Sequence, residues 1–370
     1  MHIINTLLFN RKNIMEQKVF RLQDKQEQFP LVSIVTVSVN GKKWLKGLFE
    51  SIAASDYPSD KMEIIYVDNF STDGSIEYAE NFFKNDSRLT IIRNKKNLGW
   101  SPANNQGIKV AKGKIVFCIS NDMIVDSKWI NEIVQVMLKD KTTGIVQCNS
   151  ISLWDRKSSD SGMNYLDKFG FAYSYAPSKA VAEVFYAEGM AFAIRHEVIE
   201  EIGVLDEYFF MEYDDMDYSW RARLAGYKIL FVPTSVVYHA RGGTVGSTYF
   251  QRINNTKWYT RNHIVTIIKN YEFVNILKVL PLVLTVEITK IFYLSVIKKN
   301  QLLAIAALKG LINVLTDMNT IIQKRIAVQK MRKISDNEII KSMLTFNPWA
   351  LRMFLVFQSK GKRLAISNKT

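Results

Sequence analysis

Five consecutive apolar residues, Ile115, Val116, Phe117, Cys118 and Ile119, run directly into Ser120, Asn121 and Asp122. A run this short and this uniformly apolar predicts a strand covered on both faces, as in a parallel sheet flanked by helices. A carboxylate at the carboxyl end of such a strand stands where open α/β sheets bind their ligands. An isolated Asn–Asp pair would do no more than turn the chain into the next helix. The segments around it decide between these readings.

Four strand–helix alternations frame this stretch. Residues 31–39 read as a strand ending at Asn40–Gly41, and Trp44, Leu45, Leu48, Phe49 and Ile52 follow at helical spacing. Residues 63–67 form the next strand, ending at Asp68–Asn69, with Ser71 or Thr72 placed to cap a helix. Residues 89–92 are a third strand, and Ser101–Pro102 opens a helix that Gly113 ends. After the central strand come a helix at 129–138 and a strand at 144–148. Such alternation implies a mostly parallel sheet with helices on both faces.

Beyond Ser150 the pattern loosens. Residues 151–178 predict a long functional loop or a small antiparallel addition. Residues 189–194 read as a strand, 196–202 as a helix ended by Gly203, and 214–224 as a helix stopped by Gly226. Two short strands, 228–232 and 235–238, flank Pro233. Residues 1–29 read as an N-terminal extension, 30–250 as the α/β domain and 251–370 as a separate basic helical region.

Charge divides the chain at the same place. Residues 251–370 hold 20 Lys and Arg against 5 Asp and Glu, so the last third carries +15 of the total +14 and the first 250 residues carry −1. Residues 273–297 are strongly apolar but interrupted by Lys278, Pro281, Glu287 and Lys290, a poor spanning helix on sequence grounds. Apolar runs at 302–308, 311–315 and 351–357 are separated by basic residues. This composition predicts basic amphipathic helices on an anionic membrane surface. The plain alternative is a helical bundle packed on the main domain. Cys118 and Cys148 both lie in apolar runs and read as buried free thiols.

Phosphate-binding glycine loops are missing. No G-x-G-x-x-G follows a strand, and residues 107–114 have one residue too many for a P-loop, with Ile115 where a magnesium-binding hydroxyl should stand. Phosphates bound here need another partner, and a divalent cation on Asp122 would serve, because hard cations take carboxylate and phosphate oxygens together. A second cluster puts Glu212, Asp214, Asp215 and Asp217 within six positions at the start of a helix, where closely spaced carboxylates can be tuned toward general-base work. His239 ends an apolar strand just before Arg241–Gly242–Gly243, and a neutral imidazole suits a manganese-like ion.

Taken in order, Ser33 to Asn40, Val67–Asp68–Asn69 with the following Ser71–Thr72–Asp73–Gly74, Asn97–Leu98–Gly99, Asn104–Asn105–Gln106–Gly107, Ser120–Asn121–Asp122, the Tyr213-to-Asp217 cluster and Tyr238–His239 resemble family 2 glycosyltransferases, most closely the rhamnosyltransferase-like branch. The resemblance spans residues 31–243. It implies a GT-A fold, Rossmann-like, and an inverting transfer from a nucleotide-sugar donor. By motif match Asp68 contacts the nucleotide base, with Asn40, Asn97 and Asn121 around the nucleotide. Asp122 matches the last aspartate of the family's metal-binding D-x-D, and His239 a histidine that binds the metal in some members, so the cofactor is Mn²⁺ or Mg²⁺. Asp215 matches the catalytic base, preceded by Asp214 where the family carries Glu.

Two departures bear on this. Ser120 replaces the first aspartate of D-x-D, and the Gln-x-x-Arg-Trp motif of processive synthases is absent, which implies one sugar per encounter. A near-neutral catalytic domain with a basic apolar tail implies a glycan or lipid-linked acceptor and a peripheral place on the cytoplasmic face of the cell membrane. Three rival readings compete with this one: a nucleic-acid-binding protein using the basic tail, a nucleotidyltransferase, and a sugar-nucleotide binder without turnover. The acidic clusters argue against nucleic acid, and residues 37–43 make a poor triphosphate loop.

Overall fold

The computed structural model describes residues 29–240, 249–346 and 365–366. The 1–28 extension and the 351–357 run lie outside the described residues. Strands β1 (Val32–Ser38), β2 (Met62–Asp68), β3 (Leu89–Arg93) and β4 (Ile115–Ser120) pair in parallel in the order β3-β2-β1-β4. Alternate side chains of β4 enter opposite cores: Ile115, Phe117 and Ile119 on one face, Val116 and Cys118 on the other. That is why the strand reads as unbroken apolar sequence. Helices α1 (Lys42–Ala53), α2 (Ser75–Phe82) and α4 (Trp129–Lys139) cover the first face. The second is covered by α3 (Trp100–Val110), α5 (His196–Ile202) and α6 (Asp214–Leu224). Both cysteines are free and buried.

The sheet becomes mixed past β4. After β5 (Met123–Val125) and β6 (Thr143–Ser152), strand β10 (Ala191–Arg195) inserts antiparallel between β4 and β6. Strand β11 (Lys228–His239) runs parallel to β6 and antiparallel to β5. The two strands expected around Pro233 are thus one, with a register shift between Val232 and Val236 that accommodates the proline. Within residues 151–178, β7 (Met163–Leu166) and β8 (Ala172–Tyr175) form the expected small antiparallel addition. Strand β9 (Ala182–Glu183) pairs with β11, and β12 (Ala365–Ile366) lies beside β8.

Helix starts differ from expectation in detail. Helix α2 begins at Ser75 after a left-handed Gly74, with Asp73 accepting from the Ser75 N–H at 3.1 Å, so Ser71 and Thr72 serve elsewhere. Helix α3 begins at Trp100, which leaves Pro102 within its first turn.

The last third is a packed helical region: α7 (Tyr249–Asn270), α8 (Phe273–Phe292), α9 (Gln301–Thr316), α10 (Met318–Met331) and α11 (Asp336–Lys341). The two apolar runs at 302–308 and 311–315 belong to the single helix α9. One core joins this region to the α/β domain, with Phe209, Tyr213 and Trp220 packed among Ile264, Val283 and Ile321. Helix α8 continues through a π-turn at Tyr293–Ile297. Over Phe273–Ile297 it is long and apolar enough to cross a membrane by length and composition, contrary to the sequence-based expectation. Two of the polar interruptions point inward, since Glu287 and Lys290 are both fully buried and pair with each other, while Lys278 stays exposed.

Candidate active site

The carboxyl ends of β1, β2 and β4 open onto a cleft of about 270 Å³, lined among others by Asn69, Asn97, Trp100, Asn121, Asp122 and His239. Four of the eight predicted site residues therefore share one cavity: Asn97, Asn121, Asp122 and His239. Asn40, Asp68, Asp214 and Asp215 are set around it.

On the nucleotide side, the loops after β1 and β2 are laced together. Asn40 is exposed, takes the left-handed conformation at φ 50°, accepts from the Thr72 N–H at 2.8 Å and donates its own N–H to Ser71 at 2.9 Å. Its side chain organises the loops. Asp68, 1% exposed, accepts from the Ser71 N–H at 3.0 Å through Oδ2, while its buried Oδ1 has no hydrogen-bond partner among the described residues. A buried acceptor left open costs stability unless a ligand supplies the donor. Asn97 accepts from Gly99 N–H and from Asn69, each at 2.9 Å. Asn121 donates to Ser38 at 2.8 Å. A Cβ on Gly41 would stand 1.8 Å from the Asn121 amide, so only glycine lets the β1 loop pass there.

Topology brings Asp122 and His239 to one corner of the cleft. The β4–β5 turn carries Asp122, and the antiparallel β5–β11 pairing sets Met123 opposite His239. His239 Nε2 comes to 3.4 Å from Asp122 Oδ1, and its Nδ1 lies 2.6 Å from Asp160. Burial would depress the imidazole, but hydrogen bonds and charge from Asp122 and Asp160 raise it to about 9. A carboxylate behind a histidine is the arrangement that orients metal-bound imidazoles. Among the described residues no group of three His, Cys, Asp or Glu forms a closed metal cage. The donor set fits a divalent cation on Asp122 and His239, completed by diphosphate oxygens and water, provided the imidazole gives up its proton as the cation arrives. Asp160 was missed by sequence reasoning; it sits in a polar Ser-rich stretch with no motif.

Phe210 and Met211, which lead into the acidic turn, line the cleft; Asp214 and Asp215 are not among its lining residues. Asp214 accepts from Ser101 at 3.1 Å, and Asp215 accepts from the Gly189 N–H at 3.0 Å and from Met216 N–H at 2.8 Å. Where a Gly189 Cβ would stand, Trp100 of the cleft wall is 3.1 Å away and Asp215 Cβ is 3.6 Å away, so glycine brings the carboxylate against that wall. Burial pushes Asp215 up to about 6 against its backbone hydrogen bonds. Burial and the Asp215 charge push Glu212 to about 7 and Asp214 well above the ordinary carboxylate range. Gly99, at φ 91°, leads into Trp100, and any Cβ there would fall 2.6 Å from the Phe210 ring. Phe210 in turn stacks on Trp258 of α7 at 4.6 Å. None of Trp100, Gly189 or Phe210 carried a sequence signal beyond its residue type.

Residues 33–203 match the family model described as glycosyl transferase family 2. An uncharacterized glycosyltransferase of Haemophilus influenzae is 32% identical over 114 residues, 31% of this chain and 35% of that protein. A poly-beta-1,6-N-acetyl-D-glucosamine synthase of Staphylococcus epidermidis is 21% identical over 243 residues, 65% of this chain and 57% of the relative. The chain therefore spans about a third of the first and somewhat over half of the second. Among solved structures, the mannosyltransferase PcManGT of Pyrobaculum calidifontis, in complex with GDP-Man and Mn²⁺, matches with TM-score 0.51 and 18% identity over 89% of this chain and 84% of that one. At that identity the likeness concerns the fold, which is GT-A.

Proposed function

We propose, from the premise that residues 33–203 are a family 2 glycosyltransferase domain, that this chain is an inverting, non-processive transferase. It moves a sugar from a nucleotide-sugar donor to a hydroxyl of a glycan or lipid-linked acceptor in cell-surface polysaccharide or glycolipid assembly. One observation carries the reading: a strand-end carboxylate and a histidine more than a hundred residues later, Asp122 and His239, converge at 3.4 Å on the wall of one cleft.

In this reading Asp68, with its open acceptor oxygen, takes an N–H of the nucleotide base, and Asn97 and Asn121 line the path of the nucleotide. Asp122 and His239 hold Mn²⁺ or Mg²⁺, which when bound offsets negative charge on the departing diphosphate. Asp215 takes the proton of the acceptor hydroxyl. The acceptor oxygen bonds to the anomeric carbon from the face opposite the leaving group, and the carbon–phosphate oxygen bond breaks with its electron pair passing to the nucleoside diphosphate. Burial and the Asp215 charge raise Asp214 beyond Asp215, which leaves Asp215 as the carboxylate that ionises first. Hexosyl and rhamnosyl donors both suit this chemistry.

Thermal stabilisation by UDP-, GDP- and dTDP-sugars, with and without Mn²⁺, tests the reading. One donor class is expected to raise the melting temperature further with the metal, and Asp122→Ala should abolish the metal-dependent part. A panel with no stabilising donor would sink it.

The helical region supports a peripheral place on an anionic membrane. Of the twenty large apolar side chains exposed among the described residues, fifteen lie between Phe273 and Ile326. Helix α8 buries Glu287 and Lys290 while exposing Phe273, Leu277, Ile288 and Phe292; α9 exposes Leu302, Ile305, Ile312 and Leu315. Charges inside and apolar groups outside suit a lipid rather than an aqueous surface. The exposed Lys278, Lys298, Lys299 and Lys309 add attraction to anionic headgroups. Co-sedimentation with phosphatidylglycerol vesicles at low salt should pellet the protein and phosphatidylcholine vesicles should not. Protein left in solution with both would end this part.

A further inference from the structure

The acidic turn is held in a conformation its own sequence does not favour. Glu212 at φ 70° and Tyr213 at φ 66° are consecutive non-glycine residues in the left-handed region, immediately before Asp214 and Asp215. Such residues persist only where the surroundings over-determine them, and strain of this kind concentrates at functional sites.

The restraint comes from one face of α7, at Tyr259, Asn262 and His263, spaced i, i+3, i+4. Asn262 is fully buried, and its amide nitrogen donates to two successive carbonyls, Met211 at 2.9 Å and Glu212 at 2.7 Å. Its amide oxygen accepts from Arg261 Nε at 2.8 Å, which fixes the amide's orientation. Tyr213 contributes its hydroxyl to the Gly170 carbonyl at 2.9 Å and to the Tyr259 hydroxyl at 3.1 Å, and its ring stacks on His263 at 5.2 Å. On the far side of the turn, Asp215 rests on the Gly189 N–H. The carboxylate is pinned to the α/β domain at one end and the turn that carries it to α7 at the other.

We propose that Asn262 is a positioning residue for Asp215: its amide clamps the Met211 and Glu212 carbonyls, holds the left-handed turn, and so sets the carboxylate beside Trp100. This rests on reading Asp215 as the base. It makes α7 part of the catalytic unit, although α7 begins 46 residues beyond the family match, at Tyr249 against residue 203. The charged groups around Asp215 are Glu212 and Asp214 on its own turn and Glu188 next to its Gly189 donor; α7 presents His263 against Tyr213.

The test is cleavage of UDP-N-acetylglucosamine and GDP-mannose by water with Mn²⁺, read as released nucleoside diphosphate over pH 4.5–8.5 (a range chosen to bracket the roughly one-unit scatter of carboxylate pKa values). Asn262→Ala should lower kcat about tenfold or more, leave donor KM within about twofold, and move the acid limb of the profile toward lower pH as the freed carboxylate gains water. Arg325→Ala is the matched lesion, since Arg325 caps the Ile268 and Tyr271 carbonyls of α7 away from the turn. It should lower the melting temperature without moving the acid limb. Should Asn262→Ala fail to fold, Asn262→Ser, which retains one donor, decides with a smaller loss of the same kind. Wild-type kcat and acid limb in the Asn262 variants, or an equal shift in Arg325→Ala, would overturn the proposal. Asp215→Asn with undiminished cleavage would remove the base reading itself, whereas an inactive Asp215→Asn beside an unaffected Asn262→Ala would remove the clamp alone.

Discussion

Asp215 and Asp217 stand two residues apart at the start of the same helix, yet the fold treats them oppositely. Asp217 is fully buried and surrounded by donors: Arg221 Nε at 3.0 Å, Lys269 at 2.9 Å and Asn270 at 3.1 Å. Lys269 also reaches Asp206 at 2.5 Å, and Lys324 of α10 reaches the same carboxylate at 2.5 Å. Burial alone would raise Asp206, but these two ammonium groups hold it well below the usual carboxylate range. Among the described residues Asp215 has only backbone N–H partners, and Glu212 and Asp214 flank it. A carboxylate with cations around it is spent on ion pairs and serves the fold. One left among acids beside a cleft keeps a pKa near its working pH and is available to a proton.

The largest expected effect breaks the comparison on the Asp215 side. Asp215→Asn should reduce turnover by about 10²–10⁴-fold, the usual worth of a positioned general base. In the wild type the rate should rise with pH through about 6, where Asp215 ionises. The stability consequence has the opposite sense. A carboxyl raised in the fold contributes stability that is present at low pH and lost as pH rises through its folded value. Asp215→Asn should therefore be at least as stable as the wild type above pH 6, checked by urea unfolding at pH 5 and pH 8. A variant both inactive and markedly less stable would move Asp215 into the same class as Asp217.

The sequence carried the α/β frame well because the frame is local. Apolar runs, helical periodicity and strand-end Asn or Asp are written within windows of ten residues, and β1 to β4 with their helices appear where those windows put them. Asp122 and His239 were legible as candidates from their own strand ends, and the β5–β11 pairing brings them together. The sorting of the acidic cluster was not legible. Four acids in six positions look alike in sequence, and what separates them is Lys269, Asn262 and Asn270 on a helix some fifty residues later. Net charge is a coarse guide to the tail for a related reason. Net charge counts Lys269, Lys290 and Arg325 as surface, whereas the fold turns them inward onto Asp217, Glu287 and the α7 carbonyls. Helix α8 hides Glu287 and Lys290 in the same way and leaves Lys278 outside, so a composition that reads as an interrupted span folds into a helix with a largely apolar outer face.

The smaller effect on chemistry comes from the other aspartate. Asp217→Asn keeps the shape but removes the charge that Arg221 and Lys269 face. Breaking one side of a buried ionic cluster leaves uncompensated charge, at a cost of about 3 kcal/mol. Lys269 retains Asp206, which places the loss toward the low end. The variant should melt several degrees lower while keeping donor cleavage within about threefold and the same acid limb, because Asp217's partners Arg221, Lys269 and Asn270 make none of the contacts with Ser101 and Gly189 that hold Asp214 and Asp215. If Asp217→Asn instead shifted the acid limb as Asn262→Ala is expected to, the two aspartates would belong to one electrostatic unit. The division between a structural and a chemical carboxylate on α6 would then have to be abandoned.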